Sequence, residues 1–428
     1  MSRNRWDVLI GGAGMAASAA AIRLCALGFR PLLLTTKSHI SPGVEALPEA
    51  GLALFKELGI EHLLREARSV VVEGFENRRG DEEIEVRSGS WVHLERSLLA
   101  KAAVREAVRR GTTLRLCQAL PGLSSGPDSA HIVLDGRELH FHAALDATGR
   151  SAIWSRPIQR FGHQVADLYR YPEDSQKRGR IVRDADSWSY KLGLEHSGTL
   201  GIVTQDGKHR NLPDRRIRDA MGIASDSFEY VGRRPAFPQW CENSVHFRRL
   251  AIGDAALAYD PIAGQGICFA LSSALAASAT IKTWRDAPPR HEAANRFYRD
   301  FVDQRRRRHL EFLQRAQEEQ PQPEPEPQRL PDVVVFAGVT ETADVVIDSN
   351  VTTQDVLRLP DGARVRWLGP LDLLDIRNFA QQPIRSENLV NCLISPKCSR
   401  EEVVACLQWC IQRRLLSKSP VSMAHFTS

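Results

Sequence analysis

A glycine-rich turn near the amino terminus constrains this chain more than any other feature. Gly11-Gly12-Ala13-Gly14-Met15-Ala16-Ala17 follows a strand-like run at 7–11 and opens helix-patterned residues 16–27. Gly12, Gly14 and Ala17 satisfy G-x-G-x-x-G/A. The first permits a tight turn, the second lets backbone approach a pyrophosphate, and the third lets the helix lie close to its strand. Phosphates so placed, beside Met15 and Ala16, meet the positive end of the helix dipole. The next strand, Pro31-Leu32-Leu33-Leu34, should end in an acidic residue that holds the ribose. Thr35, Thr36 and Lys37 stand there instead, and a hydroxyl holds a ribose less strongly than a carboxylate. Strand and helix patterns alternate through residues 1–150, as in βαβ units.

Composition bounds the rest. The chain has 428 residues, 43% of them apolar and 25% charged, and a net charge of +5. These values suit a soluble globular protein of two or three domains and exclude wholesale disorder. Arg23 interrupts the Ala-rich stretch after the glycine turn, short of the roughly 18 residues a membrane helix needs, so no membrane segment is expected. A strand-like run starts too early for a signal peptide. Eight cysteines without regular spacing point to reduced thiols and a cytoplasmic protein. Residues 317–331 read QEEQPQPEPEPQRLP, which predicts a polyproline-like tether. It divides a core, 1–316, from a small C-terminal domain, 332–428. Within the core, residues from about 155 to 250 read as β-rich.

A second cluster bears on the ligand. Gly253-Asp254-Ala255-Ala256 precedes Asp260-Pro261-Ile262-Ala263-Gly264-Gln265-Gly266. Together with the glycine turn, this resembles the GDAA…DPxxGQG segment of flavoprotein monooxygenases with the p-hydroxybenzoate hydroxylase fold. The resemblance covers residues 5–316. It implies an α/β architecture: a Rossmann-like FAD domain with an interleaved β-rich substrate domain. It also implies that Asp254 contacts FAD, and that Pro261, Gly264, Gln265 and Gly266 bring backbone N–H groups and a helix start to the flavin edge. Arg96, in Leu94-Glu95-Arg96-Ser97, matches the family's phosphate- or ribose-contacting arginine. Ala147, Thr148 and Gly149, in the DATGR segment, match the strand end beside FAD. Pro42-Gly43-Val44-Glu45-Ala46-Leu47-Pro48 resembles a loop of the branch that holds tryptophan halogenases and related hydroxylases, which places Val44 and Glu45 at the cofactor.

Within that branch the sequence favours oxygen insertion. Halogenases of this type carry a catalytic lysine, and no lysine occurs from Glu57 to Ala100, where it should fall. Trp188-Ser189-Tyr190 keeps two aromatic positions of a halogenase motif and is expected either to line the pocket or to serve as core. No Ser/His/Asp or Cys/His nucleophile constellation stands out. Glu45 is the leading acid/base candidate, ahead of His163 and Asp167. The core, loop, tether and extra domain together resemble the flavoprotein monooxygenases that build the tryptophylquinone cofactor of quinohaemoprotein amine dehydrogenase. That implies as substrate partner the crosslinked small subunit, hydroxylated at one tryptophan. A hydroxylase or halogenase of a small aromatic metabolite, and a flavin-binding maturation chaperone without turnover, stay open as alternatives. No second nucleotide motif exists, so NAD(P)H or another reductant would supply electrons by transient docking.

In the tail, Ser399-Arg400-Glu401-Glu402 reads as a capping box before an apolar stripe. Strand-like runs precede it, which predicts a small α+β module of winged-helix type. Its net charge of −1 (10 Lys+Arg, 11 Asp+Glu) lacks the basic footprint of nucleic-acid binding. The gaps among Cys392, Cys398, Cys406 and Cys410 match no common zinc pattern, so no metal is expected. Arg305–Arg308 reads as a solvated helix face.

Overall fold

The computed structural model describes residues 6–36, 43–80, 84–172, 178–184, 187–205, 213, 215–223, 227–317 and 330–418. Lys37, Pro42 and most of the Pro/Glu-rich tether lie outside them. The chain divides into two units. The first comprises Met1–His291 and Tyr298–His309; the second comprises Glu292–Phe297 and Leu310–Ser428. The helix His291–Gln317 thus contributes to both, where the sequence places all of 1–316 in the core.

The first unit is built on two sheets. In the smaller, Val8–Gly11 pairs in parallel with Pro31–Thr36 on one side and Ala143–Asp146 on the other. Thr113–Cys117 and Arg249–Ala251 extend it in parallel, and Val245–His246 closes the edge antiparallel. Val8, Leu9 and Ile10 are completely buried, as expected of a parallel strand covered on both faces. Helices Met15–Ala26, Arg96–Arg109 and Gly266–Asp286 pack there, and the first touches both others. Small residues make that approach possible: Ala17, Ala20, Ala21, Ala274 and Ala277 have no exposed surface.

Gly266–Asp286 is the one described helix long and apolar enough to span a bilayer, and 72% of its apolar window is buried inside the unit. Its hydropathy comes from being a core helix. Leu94 and Glu95 end a strand, Glu85–Glu95, and the helix Arg96–Arg109 follows directly.

The larger sheet has eight strands, in the order Glu229–Pro235, Val165–Pro172, Ser197–Thr204, Ser187–Leu194, Gly179–Arg183, Val70–Arg79, Glu85–Glu95 and Val44–Pro48. Its two faces carry different clusters. Tyr169, Tyr171, Leu200, Ile202 and Met221 pack on one. Ala166, Leu168 and Val203 pack on the other, with Trp188 and Tyr190.

The second unit has its own apolar core, which includes Val334, Leu373, Ile376, Leu389, Val403 and Leu407. Val333–Phe336 pairs antiparallel with Ile384–Arg385 and Leu416–Lys418, beside helices Leu373–Phe379, Ser386–Leu393 and Arg400–Gln412. The Ser399/Glu402 capping box is fully formed. Of the long hairpin Val339–Ile347/Asn350–Arg358 the sequence shows only the strand-like run 345–347.

Candidate functional site

The glycine turn has the geometry its residues predict. Gly12 N–H donates to Leu34 O at 2.8 Å. Its φ is +108°, and a Cβ there would lie 2.2 Å from Ala147 O, so only glycine fits. Gly14 is the N-cap of Met15–Ala26, with no side chain capping it, and a Cβ at Gly14 would meet nothing within 4 Å. The first-turn N–H groups therefore face open space beyond a glycine, as an anion site requires. Ala16 and Ala17 are buried beneath.

The second motif lies against the first. A Cβ on Gly253 would sit 2.7 Å from Ala16 Cβ, so the turn bearing Asp254 rests on the start of the first helix. Asp260 then caps the turn Pro261–Ala263 by accepting from Ile262 N–H at 2.9 Å. The Asp260 N–H donates to His309 Nε2 at 3.0 Å. Burial pushes the Asp260 carboxyl up to about 6 and the His309 imidazole down to about 4. Gly264 takes the left-handed conformation, φ +59°. Gln265 is an N-cap that makes no side-chain capping bond, and Gly266 opens onto empty space. A second helix start is thus presented without side-chain cover.

Charged groups connect these turns to the sheet. Arg96 Nη1 donates to Glu45 Oε1 at 2.7 Å, and the charges of Glu45 and Asp254 together hold the Arg96 guanidinium above its usual range. Burial and then Glu45 push the Tyr190 phenol well above its ordinary value, which places Tyr190 in the same environment. Val44, Trp91 and Tyr190 belong to one apolar cluster with Phe75 and Leu192, and Trp188 lies 5.5 Å from Tyr190, ring to ring. Val44 is anchored through its N–H to Thr199 Oγ1 at 3.0 Å.

Some expected contacts are already committed within the chain. The Thr148 hydroxyl donates to Asp146 Oδ1 at 2.6 Å and accepts from Ile153 N–H at 2.8 Å, so it shapes its own turn. Ala147 is buried there, and Gly149 has φ +64°. Thr35 is buried, with its hydroxyl donating to Thr36 O at 3.2 Å, which leaves Thr36 as the more accessible hydroxyl at that strand end. Asp167 forms a paired bond to Arg233, both at 2.9 Å, and His163 is exposed.

Three residues enter that the sequence did not single out. Arg150 donates through Nη2 to Phe237 O and Tyr259 O, at 2.9 and 3.2 Å. Its Nη1 is buried and makes no hydrogen bond among the described residues, and the charges of Asp254 and Asp260 act on it. The DATGR string itself was the signal. Trp91 lies 3.7 Å from where a Gly264 Cβ would be, and Arg234 shares the Glu45–Tyr190 environment. Neither had a sequence signal, because both reach the site through strand register.

The buried N–H of Arg150, the two uncapped helix starts and the glycine cradle fit a dinucleotide with a pyrophosphate, as FAD has. No family model matches this chain, and no curated protein does. Solved structures do. Peptidyl tryptophan dihydroxylase QhpG, described as essential for tryptophylquinone cofactor biogenesis, superposes with a TM-score of 0.64 at 20% identity, covering 95% of this chain and 99% of its own. The flavin-dependent halogenase CmlS gives 0.68 at 16% identity over 99% of both chains. PqsL from Pseudomonas aeruginosa, a probable FAD-dependent monooxygenase, gives 0.58 at 16% over 69% of this chain and 91% of its own. This chain has the fold of flavin-dependent monooxygenases and halogenases.

Proposed function

We propose that this chain is an FAD-dependent monooxygenase that hydroxylates, twice, one tryptophan of a polypeptide: the crosslinked small subunit of quinohaemoprotein amine dehydrogenase. The fold is common to hydroxylases and halogenases, and the observation that supports oxygen insertion lies in the eight-stranded sheet. Its one lysine, Lys191, is buried and pairs with Leu200, on the face of Tyr169 and Tyr171. The opposite face, carrying Trp188 and Tyr190, holds no lysine. Among the described residues the aromatic wall thus carries no amine that could capture an oxidised halide, and oxygen insertion needs none. The likeness to QhpG along nearly the whole of both chains supports the polypeptide substrate.

Reduced FAD supplies the activation of dioxygen. The chain's own residues bind and orient. The turn from Gly12 to Ala17 holds the pyrophosphate, Arg150 and Arg96 add cationic contacts, Asp254 takes hydroxyls, and Gly264–Gly266 present N–H groups to the ring edge. Val44, Trp91 and Tyr190 exclude water. Glu45, held by Arg96, accepts the proton that leaves the indole. NAD(P)H or another reductant delivers electrons by transient docking, and the reaction belongs in the cytoplasm.

The test is the intact mass of the crosslinked small subunit after incubation with this protein, FAD, reductant and air, with free tryptophan in parallel. Two oxygens gained by the subunit alone support the reading. Oxygen on free tryptophan alone moves the assignment to small aromatic metabolites. Bromide or chloride incorporated into indole would make it a halogenase. Bound FAD that is never reduced and reoxidised would leave a maturation chaperone.

A further inference from the structure

A second, unrelated cluster of side chains lies on the small sheet Leu123–Ser125, Ala130–Leu134, Arg137–Phe141. Its register follows from one dipeptide. Asp135 and Gly136 both have positive φ, +52° and +72°, the signature of a two-residue type I′ turn. That turn pairs Leu134 with Arg137 and so sets His131 directly opposite His140. Alternation then sorts the side chains. Ala130, Ile132, Leu134 and Phe141 go inward to an apolar cluster. His131, Glu138 and His140 go outward together, on a platform fixed from behind.

The outward trio has the dimensions of a metal site. His131 Nε2 and His140 Nε2 lie 3.7 and 3.5 Å from Glu138 Oε1, and one ligand atom from each of the three falls within 4.8 Å of the others. Bonds of about 2.1 Å at tetrahedral angles separate neighbouring ligand atoms by about 3.4 Å. The imidazole rings are 5.5 Å apart at a 34° tilt, so they do not stack flat on one another. Two imidazoles and one carboxylate suit a borderline divalent ion rather than Mg²⁺ or Ca²⁺, which take oxygen ligands.

We propose that His131, Glu138 and His140 form a surface site for a divalent transition ion of the Zn²⁺, Ni²⁺ or Cu²⁺ class, with solvent completing the shell. The site is distinct from the proposed flavin crevice and does not depend on that reading.

The test is Zn²⁺ binding by equilibrium dialysis and calorimetry on the full chain carrying Cys392→Ser, which removes the exposed thiol. The expected result is one Zn²⁺ per chain, not displaced by excess Mg²⁺. His131→Ala or His140→Ala should weaken it at least about tenfold, since losing a ligand costs no less than losing its outer-shell partner. Glu138→Gln, which preserves shape, should weaken it in the same direction, and all variants should melt with the parent in chelator. No stoichiometric Zn²⁺, or Zn²⁺ retained unchanged by the double variant His131→Ala/His140→Ala, would overturn the proposal.

Discussion

Gly12 and Gly14 are two residues apart and do different work, and a pair of substitutions separates fold from ligand. Gly12→Ala places a methyl 2.2 Å from Ala147 O at φ +108°, so it strains the backbone and should lower stability by more than about 1 kcal/mol. Gly14→Val adds a Cβ that meets no atom within 4 Å. It should leave the melting point of the apoprotein within the scatter of surface changes, about 0.5 kcal/mol, while cutting FAD retention at least about tenfold. Flavin absorbance after gel filtration and thermal melts measure both. A Gly14→Val protein that keeps its FAD would mean the open space is not the phosphate site. Both glycines were legible in the sequence because a turn that needs them is local. Trp91 and Arg234 were not, since they reach Gly264 and Tyr190 through pairings tens of residues apart.

At the scale of elements, the turn Pro261–Ala263 is held by two buried ionisable groups whose linkages oppose each other. His309 has its value lowered from 6.5 to about 4. Its contribution is present above the unfolded value and is lost as pH falls through about 4. Asp260 has its value raised from 3.8 to about 6, so its contribution is present at low pH and is lost as pH rises through about 6. Each is on the order of 3 kcal/mol, and between pH 4 and 6 they nearly cancel. Asp260→Asn keeps an acceptor for Ile262 N–H and unmasks His309, so stability should climb with pH across that window. His309→Gln unmasks Asp260 and should reverse the slope. Denaturant midpoints at several pH values decide it, and parallel slopes in the two variants would sink the account. Tyr190 offers a second handle on the elements. A Cβ on Gly201, its partner across the strand pair, would lie 2.2 Å from the Tyr190 ring. Gly201→Ala should therefore displace that wall and slow substrate oxidation more than it lowers FAD content, as turnover against bound flavin will show. The sequence suggested strands here from alternation alone. It could not tell which face Tyr190 shares with which residue, because that depends on eight strands closing in one order.

For the whole molecule, the arrangement that matters is two apolar cores on one chain. One surrounds the glycine turn and the large sheet; the other lies among the three C-terminal helices. The sequence puts the division at the Pro/Glu-rich stretch, whereas the two units divide within the helix His291–Gln317, on which both draw. Separate cores predict separate responses. A ligand that binds one folded unit stabilises it by mass action, about 2.7 kcal/mol at a hundred times its Kd, and leaves the other untouched unless the two unfold as one. Differential scanning calorimetry should show two transitions, of which added FAD raises only one. Ser399→Ala removes the capping bond that Ser399 makes to Glu402 N–H and should lower only the other, by about 1 kcal/mol, with FAD content unchanged. A single transition that both FAD and Ser399→Ala shift would mean that the shared helix couples the cores into one cooperative unit.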